Sequence, residues 1–330
     1  MGSYQLVERL GRGGMGEVWR ARHHLLARSA AIKLVRPELL GVESAAATRS
    51  MLWRFEREAQ ATAALSSPHT IRLFDFGVTA DRTFYYVMEL LDGRDLQSMV
   101  RETGPLPAAR VLFLMTQVCH SLAEAHAQGL VHRDITPSNI YACLMGLDYD
   151  FVKVLDFGLV TRSDRSEREG GWLTGDHTTT GTPAFMAPEI ILGGTVDARA
   201  DVYSVGCVAY YLLTGHLVFD GDTAMELFVQ HVQTAVPPVS ERSELPIPRD
   251  LEALVLSCLA KDPAERPQNG LDLLNRFQQC RFVDPWDNSA ARAWWQLHYD
   301  GNQTRESKVA SRESKSGGRR QSLIAAESPL

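Results

Sequence analysis

Short runs rich in Val, Ile, Ala and aromatic residues, broken by glycines, fill residues 4–36: YQLVERL, EVWRARHH and AAIKLV. Runs of this length and composition predict three antiparallel strands. From Met51 to Leu65 the period changes. Phe55, Ala59 and Thr62 recur four and three apart, along one face of a helix that ends before Pro68. TFYYVMELL then predicts a return to strand.

After Asp92-Gly93 the pattern is helical. In LPAARVLFLMTQVCHSLAEAHAQG, Pro107 stands near the start, Val111, Leu114, Met115, Val118, Leu122 and Ala125 form an apolar stripe, and Gly129 ends it. DVYSVGCVAYYLLTG and RDLEALVLSCLAKD continue the helical texture, and DNSAARAWWQLHY predicts one more helix with an Asn or Ser cap. A strand-rich smaller unit therefore precedes a helix-rich larger one, with the boundary near Glu89 to Asp92. From Gly301 onward the chain is rich in Ser, Arg and Lys and poor in apolar residues, the composition of a disordered tail.

Composition narrows the classes. With 330 residues, 45% of them apolar and 22% charged, the chain suits two lobes sharing a cleft. Its 34 Lys and Arg against 40 Asp and Glu leave a net charge of −6, which argues against a nucleic-acid partner. The opening MGSYQLVERL lacks the apolar core of a secretory signal, and VYSVGCVAYYLLTG is too short to span a bilayer. Five cysteines, odd in number and without C-x-x-C spacing, point to reduced structural thiols and a cytoplasmic setting.

Candidate chemistry begins at Gly11-x-Gly13-x-x-Gly16-x-Val18. Missing side chains let backbone amides approach phosphate oxygens, although two tight turns with no ligand would look the same. A dinucleotide fold needs a helix directly after the last glycine, whereas EVWRARHH reads as strand and favours a hairpin. Lys33, in the apolar AAIK run with Ala31, is either a phosphate contact or a long side chain snorkelling to water. Glu58, on the Phe55 face of the following helix, is either its counter-ion or a solvated charge, and Glu56 competes with it.

These features occur in order with HRDITPSN at His132–Asn139, Asp156-Phe157-Gly158 and Ala187-Pro188-Glu189. In that set the chain resembles the eukaryotic-like (Hanks-type) protein kinases over residues 4 to 280. REAQATAAL, VDARADVYSVGC and CLAKDPAERPQ are similar to the bacterial serine/threonine branch. The resemblance implies an α+β, two-lobed kinase fold: a small antiparallel sheet lobe with one regulatory helix over 1–91, a larger mainly helical lobe over 92–282, a helical extension over 283–300 and the tail over 301–330.

It also implies roles for residues that match. ATP would lie under Gly11, Gly13, Gly16 and Val18, against Ala31, with Met88 as gatekeeper and backbone groups of Glu89 and Leu91 on the adenine. Lys33, held by Glu58, would pair with the α- and β-phosphates. Asp134 would orient or accept the acceptor hydroxyl's proton, while Asn139 and Asp156 would hold magnesium, or manganese in its place. His132 and Phe157 read as packing residues, Asp201 as the brace of the catalytic loop, and Glu189 and Arg266 as a buried ion pair of the larger lobe. Protein substrates with Ser or Thr acceptors, and a transient homodimer for autophosphorylation, are the implied partners.

One position departs from the family. Serine/threonine kinases usually carry Lys two residues after the catalytic Asp, and tyrosine kinases an Arg four after it; here stand Thr136 and Ser138. A hydroxyl at Thr136 still donates to the transferred phosphoryl or to Asp134 but brings no charge, a loss of about 10²- to 10³-fold in rate. Thr182, in GTPAFMAPE, supports Ser/Thr specificity. Two readings follow, an active kinase or a pseudokinase scaffold that binds nucleotide or a partner; a small-molecule phosphotransferase should lack GTPAFMAPE. Thr174, Thr178, Thr179 and Thr180, in the loop between Asp156 and Glu189, are candidate phosphosites for Arg133 to read. RRQSL in the tail has the form of a basic-directed phosphorylation site, and ACLMGLDYDF, after Asn139, reads as an insertion longer than a minimal hairpin.

Overall fold

The computed structural model describes residues 2–13, 16–26, 28–35, 56–57, 59–79, 83–157, 183–281 and 284–299. The three predicted N-terminal strands form as β1 (Tyr4–Gly13), β2 (Gly16–His23) and β3 (Ser29–Val35), followed by β4 (Leu73–Val78) and β5 (Phe84–Glu89). They make one antiparallel sheet in the order β1-β2-β3-β5-β4. β3 is the most buried of these strands, because SAAIKLV offers Ala, Ile, Leu and Val to both faces and Lys33 as its one charge. Residues 56–57 and 59–63 are helical, with Ala59 and Thr62 buried on the predicted face and Glu56 exposed. Phe55 and Glu58 lie outside the described residues.

The helical part begins with α1 (Leu96–Thr103) and α2 (Ala108–Ala127). Every residue of the predicted α2 stripe is buried, the helix starts after Pro107, and Gly129 follows its end at φ 74°. The others are α3 (Pro188–Ile191), α4 (Ala198–Thr214), α5 (Ala224–Gln233), α6 (Val239–Arg242), α7 (Arg249–Cys258) and α8 (Gly270–Phe277). α4 is buried nearly all round, as its apolar sequence requires. A second sheet, β6 (Gly93–Asp95), β7 (Ile140–Met145) and β8 (Asp148–Val154), joins the two textures.

Two expectations need correction. ACLMGLDYDF is no insertion beyond a hairpin but the hairpin itself: β7 and β8 pair from Ile140↔Val154 to Met145↔Asp148 around a two-residue turn whose Gly146 has φ 65°. The last helix, α9 (Asn288–His298), is capped by Asp287, whose side chain accepts from Ala290 N, and not by Asn288 or Ser289. α9 belongs to a second compact unit beginning at Trp286; within it Trp294 stacks on His298 and Trp295 meets Tyr299 edge-on.

The larger unit holds buried ion pairs. Arg110 of α2 and Asp150 of β8, both fully buried, form a two-pronged pair at 2.8 and 2.7 Å. Arg266 grips Glu189 in the same manner at 2.8 and 2.9 Å and also donates to three backbone carbonyls. Among the described residues no helix is long and apolar enough to cross a membrane. Four of the five thiols are buried and none is bonded; Cys143, for one, is pushed by burial up to about 12, which makes it inert.

Candidate active site

The glycine-rich segment is the β1–β2 hairpin, with Gly11 opposite Val18 and Gly13 opposite Gly16. Gly16 has φ 151°, and a Cβ there would lie 1.7 Å from the Leu34 carbonyl oxygen, so only glycine lets the hairpin close against β3. Beneath it Ala31, Ile71 and Met88 form a buried apolar cluster with Val18, Leu73, Leu90, Leu91 and Leu155 packed on it. Four of these, Val18, Ala31, Met88 and Leu91, were legible in the sequence. Ile71, Leu73 and Leu155 were not, since nothing local distinguishes them from other core residues. Glu89 pairs with Ala30 across the sheet, its amide donates to the Arg72 carbonyl at 3.0 Å, and its carboxylate accepts from Arg72 N and from the buried Lys153 at 2.7 Å. The amide and the carboxylate of Glu89 are thus both engaged within the protein.

Lys33 projects from β3 to Asp156, Nζ to Oδ2 2.6 Å, with the two side chains 14% and 24% exposed. Glu58, the expected partner, lies outside the described residues. Asp156 has φ 60°, a left-handed conformation that reverses the chain directly after Leu155. Phe157, just beyond, is buried with its ring 4.5 Å from that of His132, and His132 Nε2 lies 2.8 Å from the Leu155 carbonyl. These two are packing residues, as expected.

The catalytic-loop candidates follow. Asn139 donates through Nδ2 to both the carbonyl and the carboxylate of Asp134, each at 2.9 Å, which turns its amide oxygen to other use. Leu155 N donates to the Asn139 carbonyl at 2.9 Å, tying the Asp134–Asn139 pair to the Asp156 strand. Burial pushes the Asp134 carboxyl above its ordinary range, against the lowering influence of His132 and of the Asn139 hydrogen bond. Thr136, 4% exposed, is hydrogen-bonded to Ser138, Oγ to Oγ 2.9 Å, so its hydroxyl points to its neighbour and not to Asp134.

Asp201 fixes this loop from below. It sits in the first turn of α4, whose cap is Asp197, and spends its carboxylate on backbone amides of the loop: His132 N at 2.7 Å and Arg133 N at 2.8 Å. His126 reaches the same carboxylate at 2.9 Å, while its other ring nitrogen accepts from Gly270 N at 2.9 Å, so the proton lies on the side facing Asp201. Burial alone would raise the Asp201 carboxyl; the hydrogen bond from His126 and its neighbours outweigh that and hold it below the usual range. Arg133, held at φ 66°, has its side chain exposed. Thr174, Thr178, Thr179, Thr180 and Thr182 lie outside the described residues, as does the tail from Asp300.

The donor set suits a hard cation held partly by a ligand's own oxygens. Among the described residues no group of three or more His, Cys, Asp or Glu gathers as a metal cage. One carboxylate and one amide oxygen, from Asp156 and Asn139, need phosphate and water to complete an octahedron. Among the described residues neither backbone group of Leu91 has a backbone partner, and Leu91 packs on the apolar cluster.

Comparison with known proteins agrees with this geometry. The sequence profile of the protein kinase domain matches residues 4–278. Serine/threonine-protein kinase pkn3 of Myxococcus xanthus is 37% identical over 265 residues, 80% of this chain and 47% of its own. Serine/threonine-protein kinase PknB of Mycobacterium leprae is 38% identical over 273 residues, 82% of this chain and 42% of its own. The chain thus spans less than half the length of these relatives. Among solved structures, that of Rad53 1-466 in complex with AMP-PNP is similar with a TM-score of 0.66 and 25% identity, covering 83% of this chain and 64% of the other.

Proposed function

This chain belongs to the protein kinase family, with bacterial serine/threonine kinases among its relatives, and from that premise we propose that it transfers the γ-phosphate of ATP to serine and threonine hydroxyls of proteins. The observation that carries the reading is the convergence of Lys33, Asp156, Asn139 and Asp134, drawn from β3, the end of β8 and the loop before β7 and joined by bonds of 2.6 to 2.9 Å.

Protein kinases use ATP and a divalent metal; here magnesium, or manganese, would supply the charge neutralisation that lets the terminal phosphate depart. Asp156 and the amide oxygen of Asn139 would hold that ion. Lys33 would turn its ammonium to the α- and β-phosphates, with Glu58 as the counter-ion the family resemblance implies. Val18, Ala31 and Met88 enclose the base, and the Glu89 carbonyl with the backbone of Leu91 orients it. Asp134 receives the proton of the acceptor hydroxyl as the new P–O bond forms, and Asn139 keeps its carboxylate aimed. Thr136 contributes a dipole through Ser138 and no charge.

Residues 1–91 serve as the nucleotide lobe and 92–282 as the catalytic lobe, with 283–300 a helical extension and 301–330 a tail. Phosphorylation at Thr174 or at one of Thr178, Thr179 and Thr180 would place a dianion within reach of Arg133, whose exposure fits that role, through transient pairing of two copies. The Thr136–Ser138 pair favours a second reading, a scaffold that binds nucleotide without turnover. Labelled ATP with magnesium separates them: incorporation in the native protein that is absent from Asp134→Asn and Lys33→Met supports catalysis, and equal background in all three supports the scaffold.

A further inference from the structure

Leu25 and Leu26, adjacent at the tip of the β2–β3 turn, are 89% and 55% exposed, and Leu25 exceeds every other exposed large apolar residue described. Among the described residues of the turn from His23 to Arg28, the backbone donors are already used. His23 N donates to the Arg28 carbonyl at 3.1 Å, His24 N to Ser3 at 2.8 Å and Arg28 N to Leu26 at 2.6 Å. Leu25 N and Leu26 N both donate to His23 Nδ1, at 3.1 and 2.9 Å. The two leucines can therefore leave water without stranding their own amides.

Along the chain, the charge on either side of the tip is of one sign. From Val18 to Pro37 the chain contains Arg20, Arg22, Arg28, Lys33 and Arg36 and no Asp or Glu. Lys33 is engaged in the cleft and Arg20 approaches Glu8 at 3.7 Å. Arg22 and Arg28 remain exposed beside the leucines, and Arg28 is anchored over the Phe74 ring at 3.7 Å. The β7–β8 turn makes a contrast: Leu147 is 86% exposed there, but Asp148 follows it and no Lys or Arg lies between Asn139 and Lys153.

We propose that the β2–β3 turn docks reversibly on an anionic lipid bilayer, with Leu25 and Leu26 in the boundary between headgroups and acyl chains and Arg22 and Arg28 on the lipid phosphates. Charge complementarity selects this occupant: the tip segment carries exposed Arg22 and Arg28 and no acid between Val18 and Pro37, on a chain of net charge −6, so an anionic surface attracts this end of the lobe. Two leucines and two arginines give weak attachment, suited to a protein that visits a membrane and leaves it.

Co-sedimentation of the full chain with vesicles of phosphatidylcholine alone, and of phosphatidylcholine mixed with phosphatidylglycerol, tests the idea. Binding is expected to the mixed vesicles only. The double variant Leu25→Asp/Leu26→Asp should lower the partition coefficient by at least about tenfold. Arg22→Glu should lower it by roughly fivefold or more. Leu147→Asp should leave it unchanged. All four positions are exposed, and unchanged melting temperatures will verify that folding is intact. Equal binding to both vesicle types, or binding undiminished in the leucine and arginine variants, overturns the proposal. So does retention on immobilised poly-glutamate without vesicle binding, which would assign the tip to an acidic protein surface.

Discussion

Thr136 Oγ1 lies 2.9 Å from Ser138 Oγ, so the positions two and four residues after Asp134 hold hydroxyls that share one hydrogen bond. The acceptor side of the cleft therefore lacks an ammonium but leaves no buried hydroxyl unpaired. If the missing charge limits the rate, Thr136→Lys should raise kcat by about 10²-fold, the scale on which one preorganised charged donor acts. Steady-state phosphotransfer to a saturating protein acceptor measures this. An unchanged or lower kcat in a folded variant would show that the hydroxyl pair already does what the lysine does elsewhere.

The 2.6 Å contact between Lys33 and Asp156 sets an ammonium on the carboxylate proposed to hold the divalent ion. Lys33→Met should abolish phosphotransfer yet tighten divalent binding to the nucleotide-free protein, because Asp156 loses its competing partner. Manganese titration followed by electron paramagnetic resonance reports the affinity. Weaker manganese binding in the variant would refute the competition.

Asp134 has a carboxyl raised by burial, so its working, ionised form is lost at a higher pH than for an ordinary aspartate. The acidic limb of kcat/KM should fall above the usual carboxylate range, with activity rising as pH rises through it. Stability has the opposite sign. A raised folded pKa means that the fold holds the proton more tightly than the unfolded chain does; Asp134 therefore costs stability above that pKa, and the cost fades as pH falls through it. Asp134→Asn should accordingly melt higher at neutral pH while losing turnover, and calorimetry showing a lower melting point would contradict this.

Arg110 and Asp150 are fully buried, and removal of one partner strands the other's charge. Asp150→Asn, chosen because Asp150 has φ 53° and asparagine tolerates that conformation, should destabilise by about 3–5 kcal/mol. Denaturant unfolding measures the loss, and activity per folded molecule should be nearly unchanged because neither residue belongs to the proposed site.

Gly16→Ala forces a Cβ into the Leu34 carbonyl and a non-glycine residue to φ 151°. The β1–β2 hairpin must shift, which should raise KM for ATP more than it lowers kcat if the hairpin covers the nucleotide as proposed. A kcat effect larger than the KM effect would place the hairpin's role in the chemical step.

The chain by itself determined whatever depends on neighbours a few residues apart. The α2 stripe from Val111 to Ala125 is read from a 3.6-residue period, and all of it is buried. The glycine hairpin is read from EVWRARHH being strand, and HRDITPSN carries Asp134 and Asn139 on one tight loop where their bond is nearly local. Tertiary structure alone decided pairings between distant segments. Lys33 and Asp156 are 123 positions apart, Asp201 holds amides 68 and 69 positions away, and Arg110, set inside an apolar helix, finds Asp150 across 40 residues. A periodic pattern records which face of an element turns inward. It does not record which other element arrives there, because that contact depends on how the whole chain closes, and a buried charge is tolerated only where the closure brings its partner.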